Sequence, residues 1–166
     1  MVQFYKNFLG ASCEFENDRA AFLAYDSEHH RIGIIAFDNI EAPINPAPGL
    51  EHVAFTFENL EDLVLAYEQR KAYDILPVTC INHGPTTSMY YLDPDGNKLE
   101  SQIDNFATRK EAATFLNSEE FANNPIGADF DPEELAQRVR SGENHDLIKR
   151  RPEVGLRKFP TILPAV

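Results

Sequence analysis

A chain of 166 residues carries 15 Lys/Arg against 27 Asp/Glu, a formal charge of −12 at pH 7. A surface of that sign repels phosphate backbones and argues against nucleic-acid binding, and no apolar run reaches the ~18 residues of a membrane helix. The opening MVQFYKNFLG lacks the basic-then-apolar pattern of a secretory leader, and Cys13 and Cys80 form no metal or redox spacing; both read as free, buried thiols in a reducing cytoplasm.

The first predicted element is a helix over Val2–Leu9, with Phe4, Tyr5, Phe8 and Leu9 on one side and Gly10 as its stop. Strand-like runs follow at Ala11–Glu16, Ala20–Asp26 and Arg31–Phe37, and the three prolines of Ala42–Gly49 mark a linker or outer loop. A strand over Glu51–Phe57 leads to a helix that Asn59 caps and that runs to about Ala72. Leu60, Leu63, Val64 and Tyr67 form its apolar stripe, and Arg70 and Lys71 suit the negative end of its dipole. Three more strands are expected near Asp74–Asn82, Thr87–Leu92 and Lys98–Ile103. The order helix–strand–strand–strand therefore occurs twice, as an internal duplication would give. Thr108 and Glu111 make a capping box for a short helix carrying Ala112, Ala113 and Phe115. Asp131–Pro132–Glu134 starts another with Leu135 and Val139 inward. Residues 143–166 show little periodicity and read as an arm over a neighbour or a partly ordered tail. The resulting division is 1–46, 47–104 and 105–166. The acid excess belongs to residues 1–104, with 6 basic against 17 acidic side chains, while 105–166 holds 9 against 10.

Chemistry concentrates in the middle of the chain. On the expected strand His52, Ala54 and Thr56 share one face and Val53, Phe55 and Phe57 the other, apolar one. The segment YYLDPDGNKLE contains a strong turn signal; a hairpin centred on Asp95 sets Tyr90 opposite Glu100 on one face, with Tyr91 pointing away. Two imidazoles and a carboxylate form the facial ligand set of non-haem Fe(II) oxygenases. His52 and Glu100 are the ligand candidates here. His83 and Tyr90 would stand beside the metal, and His30 is a further acid–base candidate. A lone strand histidine is more often structural, and a carboxylate after a hairpin is ordinarily solvated. His83, before Gly84-Pro85, also reads as a plain loop residue, and alternation does not say whether His29 or His30 faces a cavity. Phe55, Tyr73 and Phe106 read as core rather than pocket.

The phrases EHHRIGIIAF, GLEHVAFTF, INHGPTTSMYYLDPDGNKLE and NPIGADFDPEEL resemble the vicinal oxygen chelate superfamily, and within it the type I extradiol (catechol-cleaving) dioxygenases. The resemblance implies an α+β fold of paired βαβββ modules, the first incomplete, with a C-terminal helical extension. It implies His52 and Glu100 as metal ligands, and His30 as the proton-transferring histidine. His83 and Tyr90 become the pair around bound catecholate and oxygen. It further implies Fe(II), with Mn(II) as the alternative, a small aromatic diol and O2 as substrates, and a homo-oligomer. In the family a first metal histidine lies on a strand ahead of the helix that here opens the chain. A shortened version, a misplaced start codon or a natural truncation would each explain the difference, and an exposed sheet edge is expected. Two other functions compete: a glyoxalase-type metal-dependent lyase or isomerase, and a non-catalytic small-molecule binder of the same fold.

Overall fold

Helix α1 (Val2–Leu9) buries Tyr5 and Phe8 and ends at Gly10, whose φ of 64° is the left-handed conformation that glycine adopts without strain. A computed structural model describes residues 1–39, 41 and 49–159; the expected loop at Ala42–Gly49 falls almost wholly outside them. Strands β1 (Ser12–Glu16), β2 (Ala20–Ala24) and β3 (Ile32–Ile35) form an antiparallel sheet in the order β1-β2-β3. Strand β4 (Val53–Thr56) leads through Asn59 into α2 (Leu60–Lys71). After α2 come β5 (Thr79–Asn82), β6 (Thr86–Leu92) and β7 (Lys98–Asp104). Helices α3 (Arg109–Leu116) and α4 (Glu119–Asn123), strand β8 (Ala128–Asp129), and helices α5 (Pro132–Arg140) and α6 (His145–Lys149) complete the described chain. The architecture is α+β, with two βαβββ-like modules. In the first, α1 precedes three strands without a leading strand among the described residues.

The second sheet has the order β4-β7-β6-β5-β8. Strand β4 runs parallel to β7, as a strand–helix–strand crossover requires, and the other pairs are antiparallel. The sequence does not announce β8: the C-terminal extension is not purely helical but adds a short edge strand. Strand β5 begins at Thr79 rather than near Asp74. Asp74 takes a positive φ of 58°, and Pro77 has no N–H to give to a ladder.

Tyr5, Phe8, Leu23, Leu60, Leu63, Val64, Met89, Tyr91 and Ile103 lie in one apolar core under α1 and α2. Arg70 lies in the last turn of α2, as the sequence places it, but is turned into the core. It is 2 % exposed, donates from Nε to the Phe8 carbonyl (2.8 Å) and from Nη1 to Ser101 Oγ (2.8 Å), and lies 3.7 Å over the Phe8 ring. Lys71 does lie at the surface, paired with Glu133. Tyr73, expected in the core, is 59 % exposed. Cys13 is half-buried rather than buried, while Cys80 is buried, and both are free. The chain after α6 folds back on its own 120–129 segment: Arg157 N–H donates to the Asn123 carbonyl and Lys158 Nζ to that of Ala122. Among the described residues no helix is long and apolar enough to cross a membrane.

Candidate metal centre

The five-residue turn between β6 and β7 fixes the register of the site. Asp93 Oδ1 accepts the N–H groups of Asp95 and Asn97, and its Oδ2 accepts the Tyr5 hydroxyl at 2.9 Å. With the turn pinned, Leu92 pairs with Lys98, Tyr91 with Leu99 and Tyr90 with Glu100. Because side chains alternate, Tyr90 and Glu100 share one face while Tyr91 is fully buried on the other. The parallel pairing of β4 sets Ala54 beside Glu100, and His52, two residues earlier, projects over the same face.

The four side chains form one continuous chain of polar contacts. His52 Nε2 stands 2.9 Å from Glu100 Oε2. Glu100 Oε1 accepts the Tyr90 hydroxyl at 2.8 Å, and that hydroxyl is 2.8 Å from His83 Nε2. His83 Nδ1 meets the Ile126 carbonyl at 2.5 Å. A carbonyl only accepts, so Nδ1 carries the proton and Nε2 is the bare acceptor. At the other end His52 Nδ1 contacts the Glu51 carboxylate, which also pairs with Lys98. Glu100 is 4 % exposed. Burial, and after it the Glu100 carboxylate, pushes the Tyr90 phenol above its ordinary value. Burial pulls the His83 imidazole below its ordinary value, against the opposing effect of the Ile126 carbonyl. The Tyr90 hydroxyl thus holds one proton between two acceptors, an arrangement that can pass a proton without moving heavy atoms.

The His52–Glu100 contact has a second consequence. His52 lies between two carboxylates, with Nδ1 against Glu51 and Nε2 against Glu100, and a neutral imidazole protonated on Nδ1 would leave two acceptors facing each other. Their 2.9 Å separation is close to that of two donors at right angles around one ion with bonds of about 2.1 Å. The donor set therefore fits a divalent cation. Among the described residues no third His, Cys, Asp or Glu joins the pair, so further coordination positions would fall to water or substrate.

His30 stands apart from this chain. It lies exposed in the β2–β3 connection, against Phe22 (5.2 Å between ring centroids) and His29 (4.4 Å), with no hydrogen bond to the other four. A cleft of about 700 Å³ runs between α1, β4 and α2, bordered by Phe8, Tyr25, Phe55, Arg70 and Tyr73, and includes none of the four. Sequence reasoning missed Glu51 and Arg151. Glu51 directly precedes His52, and its contact needs the chain ahead of β4 to leave the strand path. Arg151 holds the His83 loop from 68 residues away, donating to the His83 carbonyl at 3.3 Å, a separation that leaves no local signal.

The chain resembles known proteins over most of its length. Over 149 residues the chain is 42% identical to biphenyl-2,3-diol 1,2-dioxygenase 2 of Rhodococcus globerulus, covering 89% of this chain and 78% of that protein. Biphenyl-2,3-diol 1,2-dioxygenase 3 of the same organism is 43% identical over 144 residues, 86% of this chain and 76% of the relative. The fold is shared with the fosfomycin resistance protein FosX of Listeria monocytogenes in its complex with Mn(II) and sulfate. There the TM-score is 0.50 at 20% identity, over 70% of this chain and 86% of the other. A family model matches residues 1–101, and with it the chain belongs to the Glyoxalase/Bleomycin resistance protein/Dioxygenase superfamily.

Proposed function

We propose that this protein is an extradiol ring-cleaving dioxygenase acting on a catechol-type aromatic diol with O2. His52 and Glu100 would hold Fe(II), with Mn(II) as the alternative. The observation that carries the reading is the pair of metal-ligand atoms, His52 Nε2 and Glu100 Oε2, facing each other at 2.9 Å, continued by a hydroxyl and an imidazole that can exchange a proton. The likeness to two biphenyl-2,3-diol dioxygenases over most of the chain supports the substrate class. A bound Fe(II) supplies Lewis acidity and open positions for a chelating diol and O2.

The chain's own residues do the rest. Tyr90 Oη turns its single proton from Glu100 Oε1 to a diol oxygen when the substrate enters. His83 Nε2 takes a diol proton, its ring held by the Ile126 carbonyl. Its depressed basicity keeps it neutral, and therefore able to accept, near pH 7. The resemblance would make His30, on the β2–β3 connection, the second proton carrier, although it makes no hydrogen bond to the other four residues. The exposed edges of the sheets favour a homo-oligomer, and the two free thiols suit the cytoplasm.

The deciding experiment combines anaerobic Fe(II) loading with O2 uptake on biphenyl-2,3-diol and catechol, using His52→Ala as control. Expected are one iron per chain and diol-dependent O2 uptake, both lost in the variant. A folded protein that binds no iron and consumes no O2 would replace this reading with the non-catalytic binder. Iron binding without diol cleavage would favour the glyoxalase-type lyase or isomerase.

A further inference from the structure

His83 stands where three segments remote in sequence meet. Its carbonyl accepts from Arg151 Nη1 at 3.3 Å, and the same nitrogen donates to the Asn124 carbonyl at 2.7 Å. Arg151 Nη2 pairs with Glu120 Oε1 at 2.8 Å, and the guanidinium lies 5.0 Å over the Phe115 ring. The Arg151 side chain is only 4 % exposed. Asn124 in turn clamps the peptide that follows Ile126: its Oδ1 accepts the Gly127 N–H at 2.7 Å and its Nδ2 donates to the Gly127 carbonyl at 3.1 Å. Gly127, at φ 110°, packs so closely that a Cβ there would lie 2.2 Å from the Asn82 carbonyl oxygen and 2.8 Å from His83 Cα.

We propose that Arg151, carried by the segment that follows α6, is a positioning residue for His83. It ties the His83 backbone to the Asn124–Gly127 turn, so that the Ile126 carbonyl meets Nδ1–H and Nε2 is left facing Tyr90. The inference rests on the reading of that site as diol-cleaving. Arginine suits this position because its planar fork reaches two carbonyls and a carboxylate at once, where a lysine ammonium offers one point charge. The family match ends at residue 101, so the extension beyond it acquires a role in the site rather than only in packing.

The test reads the tautomer of His83 by imidazole ¹⁵N NMR in the metal-free protein, alongside steady-state kinetics of the Fe(II)-loaded protein. The variants are Arg151→Lys and Arg151→Met, with Arg140→Met, which loses only a surface pair with Glu68, as control. A single Nδ1–H tautomer is expected in the parent and in Arg140→Met, and a mixture of tautomers in Arg151→Met. The kcat on biphenyl-2,3-diol should fall roughly 10- to 100-fold, with KM and bound iron unchanged. Arg151→Lys should lie between, and supplies the reading if Arg151→Met does not fold. A folded Arg151 variant that keeps the Nδ1–H tautomer and the parent's kcat overturns the proposal. A parent without diol turnover would sink the assigned reaction instead, and the tautomer measurement would still decide whether Arg151 positions His83.

Discussion

The Tyr90 hydroxyl has one proton and two acceptors, Glu100 Oε1 and His83 Nε2, each 2.8 Å away. Tyr90→Phe removes that proton from a largely enclosed site and leaves both acceptors without their donor. A loss of about 1–2 kcal/mol in urea unfolding is expected, together with a fall in kcat of about 100-fold. The His83 imidazole titrates below its ordinary value because burial disfavours its charged form. On acidification the unfolded chain therefore takes up the proton first. The stability that His83 contributes is present above its unfolded value of about 6.5 and is lost as pH falls through the lower folded value. Thermal melts from about pH 7.5 to about pH 5 should show a steeper acid decline in the parent than in His83→Gln; parallel curves would refute this assignment.

At the scale of elements, caps and turns form where the sequence puts them because their causes are local. Asn59 Oδ1 accepts the Asp62 N–H at 2.8 Å, Thr108 and Glu111 close their capping box, and Asp131 caps α5. The DPDGN turn sets the Tyr90–Glu100 register mainly through local bonds from Asp95 and Asn97 to Asp93, and the Tyr5 hydroxyl from α1 adds a tertiary contact to the same carboxylate. Strand ends are less legible, because a strand stops where its partner stops. Arg70 shows what local reasoning leaves open. Its position near the end of α2 suggests a solvated cation, whereas packing of α1 and β7 buries it and gives it a carbonyl and a hydroxyl as acceptors. Arg70→Met keeps the apolar stem but strands the Phe8 carbonyl and Ser101 hydroxyl. We expect a cost of about 2 kcal/mol, read as a lower Tm with the helical circular dichroism signal unchanged below the transition.

Across the whole molecule, the two sheets have four edge strands among the described residues, β1 and β3 in the first and β4 and β8 in the second, and β4 lies beside the 700 Å³ cleft. Val53 on β4 is 43 % exposed and Ile35 on β3 is 49 % exposed. Open apolar edges recruit other strands, so self-association through them is expected. Sedimentation velocity should show a dimer or larger species for the parent and a shift toward monomer for Val53→Lys; a parent that stays monomeric at high concentration would refute it.

The sequence by itself determined helices α1, α2, α3 and α5 with the caps of the last three, though not α4 or α6, together with the hairpin register and the membership of His52, Tyr90 and Glu100 in one face. Each of these depends on residues a few positions apart, where backbone sterics and alternation act alone. Only the tertiary structure decided that His52 Nε2 and Glu100 Oε2 meet at 2.9 Å, that His30 lies apart from them, and that Arg151 holds the His83 loop. Those outcomes join segments dozens of residues apart. The free energy that selects them, burial of a common core together with satisfaction of polar groups inside it, is shared among all the packed elements and is encoded in no single stretch of chain.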